Sequence, residues 1–351
     1  MYESTLKELE IISQKVGNRP DYVQGGGGNT SVKLDDKLMA IKASGYQLKQ
    51  ITSTDGFVVV NYSNIKNYYD TVDLNSGADF EKESVEYAKN NVVQFEGIKT
   101  LRPSVEVGFH SFLKKYVIHT HAVYANILCC SENGSNIADK IFEGKDYGFI
   151  WVPYINPGFS LTLEINERIR QYIQQNNKFP EVIFMQNHGL IVSSDDYNKC
   201  IDLHDEVNES IRQYLNIHEE YPEIKINKID ESTYKSNTAY LLNYFKEHKL
   251  TKDYFDTNAL YPDQLVYLNG SIAIDSMDNK LNINSATGEI IYKTNEIEAR
   301  TIEETLLAYL YVIDQIHKKG LLLKVMTEEE KDFIGNWESE KYRKSLLKDS
   351  K

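Results

Sequence analysis

The stretch SVEVGFHSFLKKYVIHTH, residues 104–121, joins a predicted helix over residues 105–114 to a predicted strand over residues 116–122. Glu106 lies on the helix, and His119 and His121 lie on the strand. Because side chains two residues apart in a strand share a face, both imidazoles are expected to point the same way. That is the geometry of a chelating histidine pair.

A third histidine lies downstream, in the run EVIFMQNHGLIVSS of residues 181–194. Its apolar segments predict two strands interrupted by QNHG, so His188 is expected in the bend between them. Three neutral imidazoles form a ligand set that suits zinc and leave coordination positions open, as catalytic sites do. Beside a metal, Glu106 could either ligate or serve as a general base.

The overall charge excludes one class of partner. The chain has 351 residues and a formal net charge of −13, and no cluster of Lys and Arg stands out. Phosphate backbones are bound through such clusters, so nucleic acid is not expected as a partner. Without a long apolar run or a signal-peptide pattern, and with three cysteines in no disulfide or metal spacing, a soluble cytoplasmic protein is expected, with no membrane partner.

Two short motifs near the N-terminus have both a structural and a functional interpretation. The run GGGGNTSVK, residues 25–33, fits a flexible surface turn, or an anion cradle formed by backbone N–H groups with Asn29, Thr30 and Ser31. Ser44 and Gly45, in KASG, lie where a strand over residues 37–43 ends, a common place for ligand contacts. A tight turn without a ligand role fits them equally well.

The remaining pattern divides the chain near residue 220. Helices are predicted over residues 3–16, 79–91, 161–175 and 195–218, and a loop over the polar residues 63–78. Residues 222–237 have the composition of a polar linker. A smaller α/β unit is predicted beyond it, with strands around QLVYLNG, SIAID and EIIYKT, a helix over residues 297–318 and a charged helical tail.

Residues 5–217 resemble the class II aldolase/adducin family. The resemblance rests on the order of GGGNTSVK, KASG, PSVE with a histidine four residues later, HTH and QNHG. It implies an α/β fold in which residues 1–220 form a three-layer α/β/α domain with a central, mainly antiparallel sheet. Residues 221–351 would then be a smaller C-terminal α/β extension, to which we assign no chemistry.

The resemblance also implies a site. His119, His121 and His188 would bind Zn²⁺ or another divalent ion such as Mn²⁺ or Co²⁺, and Glu106 matches the aldolase carboxylate. The matching substrate or phosphate contacts are Gly28, Asn29, Ser44, Gly45 and Ser104. Val105 and Gly26 stand where related aldolases carry hydroxyl side chains, so a simple phosphate is in question.

The family's tyrosine proton donor comes from a neighbouring subunit. Tyr154 is the first candidate for it and Tyr147 the second. A homo-oligomer is expected, with a tetramer favoured.

The expected function is a divalent-metal-dependent aldolase, a lyase that makes or breaks a C–C bond in a sugar or sugar phosphate through a metal-stabilised enediolate. The alternatives are a sugar-phosphate 4-epimerase of the same superfamily and a non-catalytic, adducin-like interaction protein. Glu106 favours the aldolase, because the related 4-epimerases usually carry Asp at this position.

Overall fold

A mainly antiparallel sheet organises the first part of the protein, in a computed structural model that describes residues 2–95 and 97–336. Its seven strands run in the order β3-β2-β1-β4-β7-β6-β5, and only β5 and β6 pair in parallel. The strands are β1 (Asn29–Lys33), β2 (Leu38–Lys42), β3 (Phe57–Asn61), β4 (Tyr116–Thr120), β5 (Gly148–Val152), β6 (Pro180–Met185) and β7 (Gly189–Ser194).

Helices cover both faces of this sheet. They are α1 (Glu3–Gly17), α2 (Tyr62–Thr71), α3 (Phe80–Asn90), α4 (Val107–Phe112), α5 (Val123–Cys129), α6 (Gly134–Phe142), α7 (Phe159–Asn176) and α8 (Tyr197–Tyr214). α1, α5 and α8 pack on one face, and α2, α4 and α7 on the other. Alternate strand residues supply the two cores: Ile118 faces the first group of helices, and Val117 the second. This confirms the predicted three-layer α/β/α fold.

A second, smaller sheet follows, with strand order β10-β11-β12-β9-β8. Its strands are β8 (Ile226–Lys228), β9 (Thr233–Ser236), β10 (Ile272–Ile274), β11 (Leu281–Ile283) and β12 (Ile290–Lys293). The helices of this part are α9 (Ala239–Glu247), α10 (Lys252–Thr257), α11 (Pro262–Tyr267), α12 (Glu296–Lys318) and α13 (Glu328–Asn336). The additional C-terminal α/β unit is therefore confirmed, and the boundary at residue 220 stays a prediction.

Three local predictions were wrong. The expected loop over residues 63–78 contains α2, which buries Ile65, Tyr68 and Tyr69 on one face. The expected linker over residues 222–237 contains β8 and β9. The strand expected around QLVYLNG is absent from the structure, since residues 264–267 form the end of α11, whose first residue is a proline. The distal part of the predicted tail, residues 337–351, lies outside the described residues.

The longest helix, α12, joins the two parts through a shared core. It packs against α5 and α11, and its residues Leu306, Tyr309 and Leu310 belong to the same buried apolar cluster as Leu9 of α1. Burial of this kind is the main favourable contribution to folding. Within the described chain, none of the helices combines the length and apolar character needed to cross a membrane.

Candidate metal site

Three neighbouring strands bring the predicted ligands together. His119 is the penultimate residue of β4, directly opposite Asn29 of β1, and His121 follows the end of the strand. His188 ends the turn between β6 and β7, immediately before Gly189. Because β7 is the other neighbour of β4, this turn lies beside the HTH segment. The prediction that His188 lies in a bend between two strands holds in the structure.

The three histidines form a buried cluster. One possible ligand atom from each lies within 4.8 Å of the other two, and the ring centroids are 5.0–5.3 Å apart. His119 Nδ1 faces the carbonyl oxygen of Leu190 at 3.0 Å, and His121 Nδ1 faces Asp263 Oδ2 at 2.6 Å. Both oxygens can only accept, so each Nδ1 carries the hydrogen and each Nε2 presents a lone pair.

These lone pairs fit a metal ion. Over the described residues, Nε2 of His119 and His121 and Nδ1 of His188 are buried and have no hydrogen-bond partner. Buried polar atoms are almost always satisfied, so orphaned nitrogens in one cluster indicate a missing ligand. Neutral imidazoles are the preferred nitrogen ligands of Zn²⁺ and related divalent ions. Burial supports the neutral form, since it lowers the pKa of His119 well below its usual value against the opposing charge of Glu106.

Glu106 completes the cluster. It precedes the first residue of α4, and its Oε1 lies 3.2 Å from His188 Nε2 and 3.7 Å from His119 Nε2. Burial alone would raise the pKa of Glu106, but the hydrogen bond from His188 Nε2 to its carboxylate helps to hold the pKa well below its ordinary value. The carboxylate is therefore ionised at neutral pH, in the form that can bind a cation or accept a proton.

A chain of hydrogen bonds orients Glu106. Its Oε2 accepts from Asn29 Nδ2, so Asn29 Oδ1 faces the other way and contacts His110 Nε2. An amide oxygen can only accept, and His110 Nε2 must therefore carry a hydrogen. His110 Nδ1 then accepts from Ser31 Oγ at 2.7 Å. His110, the histidine four residues after Glu106, thus acts on Glu106 through Asn29.

One cavity gathers most of the predicted contacts. It is lined by Gly28, Asn29, Ser44, Gly45, Ser104, Glu106, His121 and His188. Val105 also lines it, and so does Gly26. His119 lies directly behind this surface, fully buried, with its Nε2 toward Glu106. Two of the predicted contacts also touch each other, because Asn29 Nδ2 lies 3.3 Å from Ser104 Oγ.

Lys42 is a cavity residue that the sequence did not single out. It is the last residue of β2, only 4% exposed, and its Nζ donates to the carbonyl oxygen of Gly26 at 3.3 Å. The sequence signal that could have identified Lys42 is its position in the KASG motif, two residues before Ser44. An ammonium group in this cavity adds the positive charge that an anionic substrate group needs.

The glycine run lies close to the cluster. A Cβ on Gly28, whose φ is +65°, would lie 2.6 Å from the carbonyl oxygen of His119. A Cβ on Gly27 would lie 2.9 Å from His121 Nδ1 and 2.4 Å from Asp263 Oδ2. Real side chains do not approach this closely. Gly27 and Gly28 therefore have to be glycines for the run to pack beside the histidines. This requirement is independent of any role of the run in anion binding.

The candidate tyrosines are not among the residues that line the cavity. Tyr154 packs in a separate apolar cluster with Tyr267 and Phe333, and its buried hydroxyl has no hydrogen-bond partner in the described part of the chain. Tyr147 lies on the surface, 3.5 Å from Glu206. The role of either tyrosine as the proton donor therefore stays a prediction.

Comparison with known proteins identifies the family of the chain. Residues 11–215 match the model of the class II aldolase and adducin N-terminal domain. The chain therefore belongs to the class II aldolase/adducin family, as its motifs predict.

A curated relative is similar over part of the chain. The uncharacterized oxidoreductase YuxG of Bacillus subtilis (strain 168) is 30% identical over 204 residues, which are 56% of this chain and 27% of that protein. The chain thus aligns with little more than a quarter of that relative's length.

Solved structures are also similar. The N-terminal class II aldolase domain of a conserved protein from Thermoplasma acidophilum is 26% identical, with a TM-score of 0.50. The likeness covers 61% of this chain and 95% of that one. The L-fuculose-1-phosphate aldolase of Thermus thermophilus is 13% identical over 62% of this chain and 95% of its own, with a TM-score of 0.39.

Proposed function

We propose that this chain is a divalent-metal-dependent aldolase that makes or breaks a C–C bond in a sugar or sugar phosphate. The observation that carries the proposal is the position of Glu106, whose Oε1 faces two of three clustered imidazoles inside a cavity. Zn²⁺ is the proposed ion, with Mn²⁺ or Co²⁺ as substitutes, held by His119, His121 and His188. When bound, it would polarise a substrate carbonyl oxygen.

The chain's own residues would handle the proton. Glu106 is ionised and oriented from one side by Asn29, which leaves Oε1 toward the histidines as the oxygen able to accept a proton. A carboxylate in this position is suited to remove a proton next to a carbonyl group and to return it. Because Asn29 is itself held by His110, the carboxylate loses little freedom when substrate binds.

The substrate's anionic group is proposed to bind beside Lys42. This ammonium lies in the same cavity as Ser44, Gly45 and Ser104, which offer hydroxyl and backbone donors. The positive charge of Lys42 would stabilise an anionic group more than the hydroxyl donors that are missing at Val105 and Gly26. A sugar phosphate is therefore the favoured substrate class.

Assembly is part of the proposal. Neither candidate tyrosine is among the residues that line the cavity, and the family resemblance implies a tyrosine proton donor from a second subunit, so we propose a homo-oligomer, with a tetramer favoured. Light scattering coupled to size-exclusion chromatography measures this directly. If the protein is a monomer at the concentrations used in activity assays, a second subunit cannot supply the tyrosine proton donor.

Glu106→Gln tests the mechanism. We expect the variant to fold and to retain metal by elemental analysis, while retro-aldol turnover of sugar phosphates falls by about 10²–10⁴-fold, the usual share of a general base. Glu86→Gln, an exposed carboxylate on α3, is the matched control and should keep wild-type turnover. Unchanged turnover in a metal-loaded Glu106→Gln protein would rule out the mechanism.

Product analysis separates the alternatives. An aldolase releases two fragments, whereas a 4-epimerase returns a ketose phosphate with the same number of carbons. Wild-type protein that binds no divalent metal would support the non-catalytic, adducin-like alternative.

A further inference from the structure

One residue of the C-terminal unit reaches the histidine cluster. Asp263 is the second residue of α11 and is only 1% exposed, although aspartate is seldom fully buried without a partner. It lies beyond residues 11–215, the part of the chain that matches the family model. It nevertheless lines the same cavity as Glu106 and His188.

Its carboxylate contacts the ring nitrogen of His121 that faces away from the cluster. Asp263 Oδ2 lies 2.6 Å from His121 Nδ1, and both side chains are buried. A neutral imidazole carries its hydrogen on either Nδ1 or Nε2, and only the Nδ1–H form leaves Nε2 free as a ligand. A carboxylate beside Nδ1 selects that form and fixes the ring plane.

The local backbone is shaped for this pair. As described above, a Cβ on Gly27 would lie within 3 Å of both Asp263 Oδ2 and His121 Nδ1. The glycine run of the first domain thus leaves room for a side chain that arrives from α11, more than 230 residues later in the sequence.

The C-terminal unit is also anchored around the site at two other points. Glu304 of α12 accepts a hydrogen bond from the backbone N–H of Gly25 at 2.8 Å. Asn187, beside His188, donates to the carbonyl oxygens of Leu260 and Lys324 at 2.8 and 2.7 Å. These contacts bind the unit to the glycine run and to the QNHG turn, so the place of Asp263 is fixed from both sides.

We infer that Asp263 is a positioning residue of the metal site. Through Asp263, the C-terminal unit contributes to that site. This inference rests on the proposed binding of a divalent ion by the three histidines. Asp263 touches no ligand position itself and acts on the ion through His121. Partners of this kind typically change metal affinity by about 10–100-fold when they are removed.

Two substitutions separate the effect of the negative charge of Asp263 from that of its hydrogen-bond acceptor. Asp263→Asn keeps an oxygen that accepts from His121 Nδ1 but loses the negative charge, and Asp263→Ala loses both. We expect Zn²⁺ affinity, measured by competition with a chromophoric chelator, to fall in the order wild type, Asn, Ala, with about 10–100-fold lost in the Ala variant. The visible spectrum of the Co²⁺-loaded proteins should change in the same order, because the His121 ring is no longer held.

A buried carboxylate elsewhere in the same unit provides the matched control. Glu303 is fully buried and accepts from Ser236 Oγ of the second sheet at 2.7 Å. Glu303→Gln should affect thermal stability at most and leave Zn²⁺ affinity at the wild-type value. If Glu303→Gln weakened Zn²⁺ binding as much as Asp263→Ala, the effect would be a general loss of stability and the inference would fail.

The remaining outcomes are distinct. Wild-type protein that does not bind Zn²⁺ would overturn the proposed function, whereas equal Zn²⁺ affinity in wild type and Asp263→Ala would overturn only the role of Asp263. If the variants do not fold, nitrogen-15 NMR of histidine-labelled, metal-free wild type still decides. The hydrogen of His121 is expected on Nδ1, and an Nε2–H form would contradict the inference.

Discussion

At the scale of single residues, His110 shows how a buried neutral group supports a charged one. Burial is the main reason that the pKa of His110 falls from the usual 6.5 to about 3, and the charge of Lys33 adds to this while that of Glu106 opposes it. The neutral ring can accept from Ser31 and donate to Asn29 at the same time. A protonated ring would donate from both nitrogens, so the Ser31 hydroxyl would have to turn and accept from Nδ1.

This predicts a pH dependence of stability. Between pH 6.5 and about 3 the unfolded chain binds a proton at residue 110 that the folded chain does not, so this contribution to stability is lost as the pH falls. Over this range the free energy of unfolding falls by about 1.4 kcal/mol for each unit by which the pH is lowered. Relative to wild type, His110→Gln is expected to be less stable at pH 7.5, with the difference narrowing toward pH 4. Urea unfolding of both proteins measures it, and a constant difference would contradict the prediction.

At the scale of elements, the turn between β6 and β7 does two things at once. It sets His188 beside the HTH segment, and its Asn187 adopts a left-handed backbone conformation with φ of 51°. The same side chain donates both amide hydrogens to carbonyl groups of the C-terminal unit. Asn tolerates this conformation better than most residues, so the turn and the contact depend on one side chain.

Substitutions at this turn can separate the two effects. Asn187→Gly keeps the backbone conformation but leaves two buried carbonyl groups without donors, which should lower the free energy of unfolding by about 1–3 kcal/mol. Asn187→Ala should cost roughly 1–2 kcal/mol more, because alanine is strained at positive φ. Asn177→Gly, at an exposed left-handed helix end with φ of 49°, is the control and should change little. Equal stability of Asn187→Gly and wild type would show that the two hydrogen bonds contribute nothing.

How far the sequence predicts each element depends on which residues form its buried face. The turn at His188 was predictable because clear apolar runs flank it. α2 was missed because two of its buried side chains, Tyr68 and Tyr69, look polar in a stretch of Asn, Lys and Asp. α11 was taken for a strand because Leu265, Val266 and Tyr267 favour one locally, yet Pro262 starts a helix.

In the candidate site, too, some residues could be predicted from the sequence and others could not. Glu106 and the three histidines carry local motifs, so their association could be predicted. Lys42 stood inside a quoted motif without being recognised as a cavity residue. Asp263 had no local signal, because its partner lies 142 residues away and the contact exists only once both sheets have formed.

At the scale of the whole molecule, the two sheets share a core. The apolar cluster that contains Leu9 and Ile118 continues through Leu306 of α12 to Leu281 and Tyr292 of the second sheet. Unfolding either part alone would expose this shared surface, and about 25 cal/mol is lost for each Å² of apolar area exposed. The predicted boundary at residue 220 therefore describes the sequence pattern better than it describes the packing.

We expect one cooperative thermal transition, with both parts of the chain unfolding together. Differential scanning calorimetry of the metal-free protein should give a single peak, and fluorescence and circular dichroism should report the same midpoint. Adding Zn²⁺ at 100 times its dissociation constant should stabilise the folded state by about 2.7 kcal/mol and shift the whole peak upward. Two separate peaks, or a shift of only one of them, would show that the units unfold independently.

The pairing of His121 with Asp263 also sets an order of events during synthesis. Protein chains are made at about 5–20 residues per second, so the 75 residues from His188, the last of the three histidines, to Asp263 take about 4–15 seconds to appear. For that interval the nascent first domain has three histidines but lacks the carboxylate that directs one of them. On the proposal that these histidines bind a divalent ion, tight binding would be deferred until α11 has been synthesised.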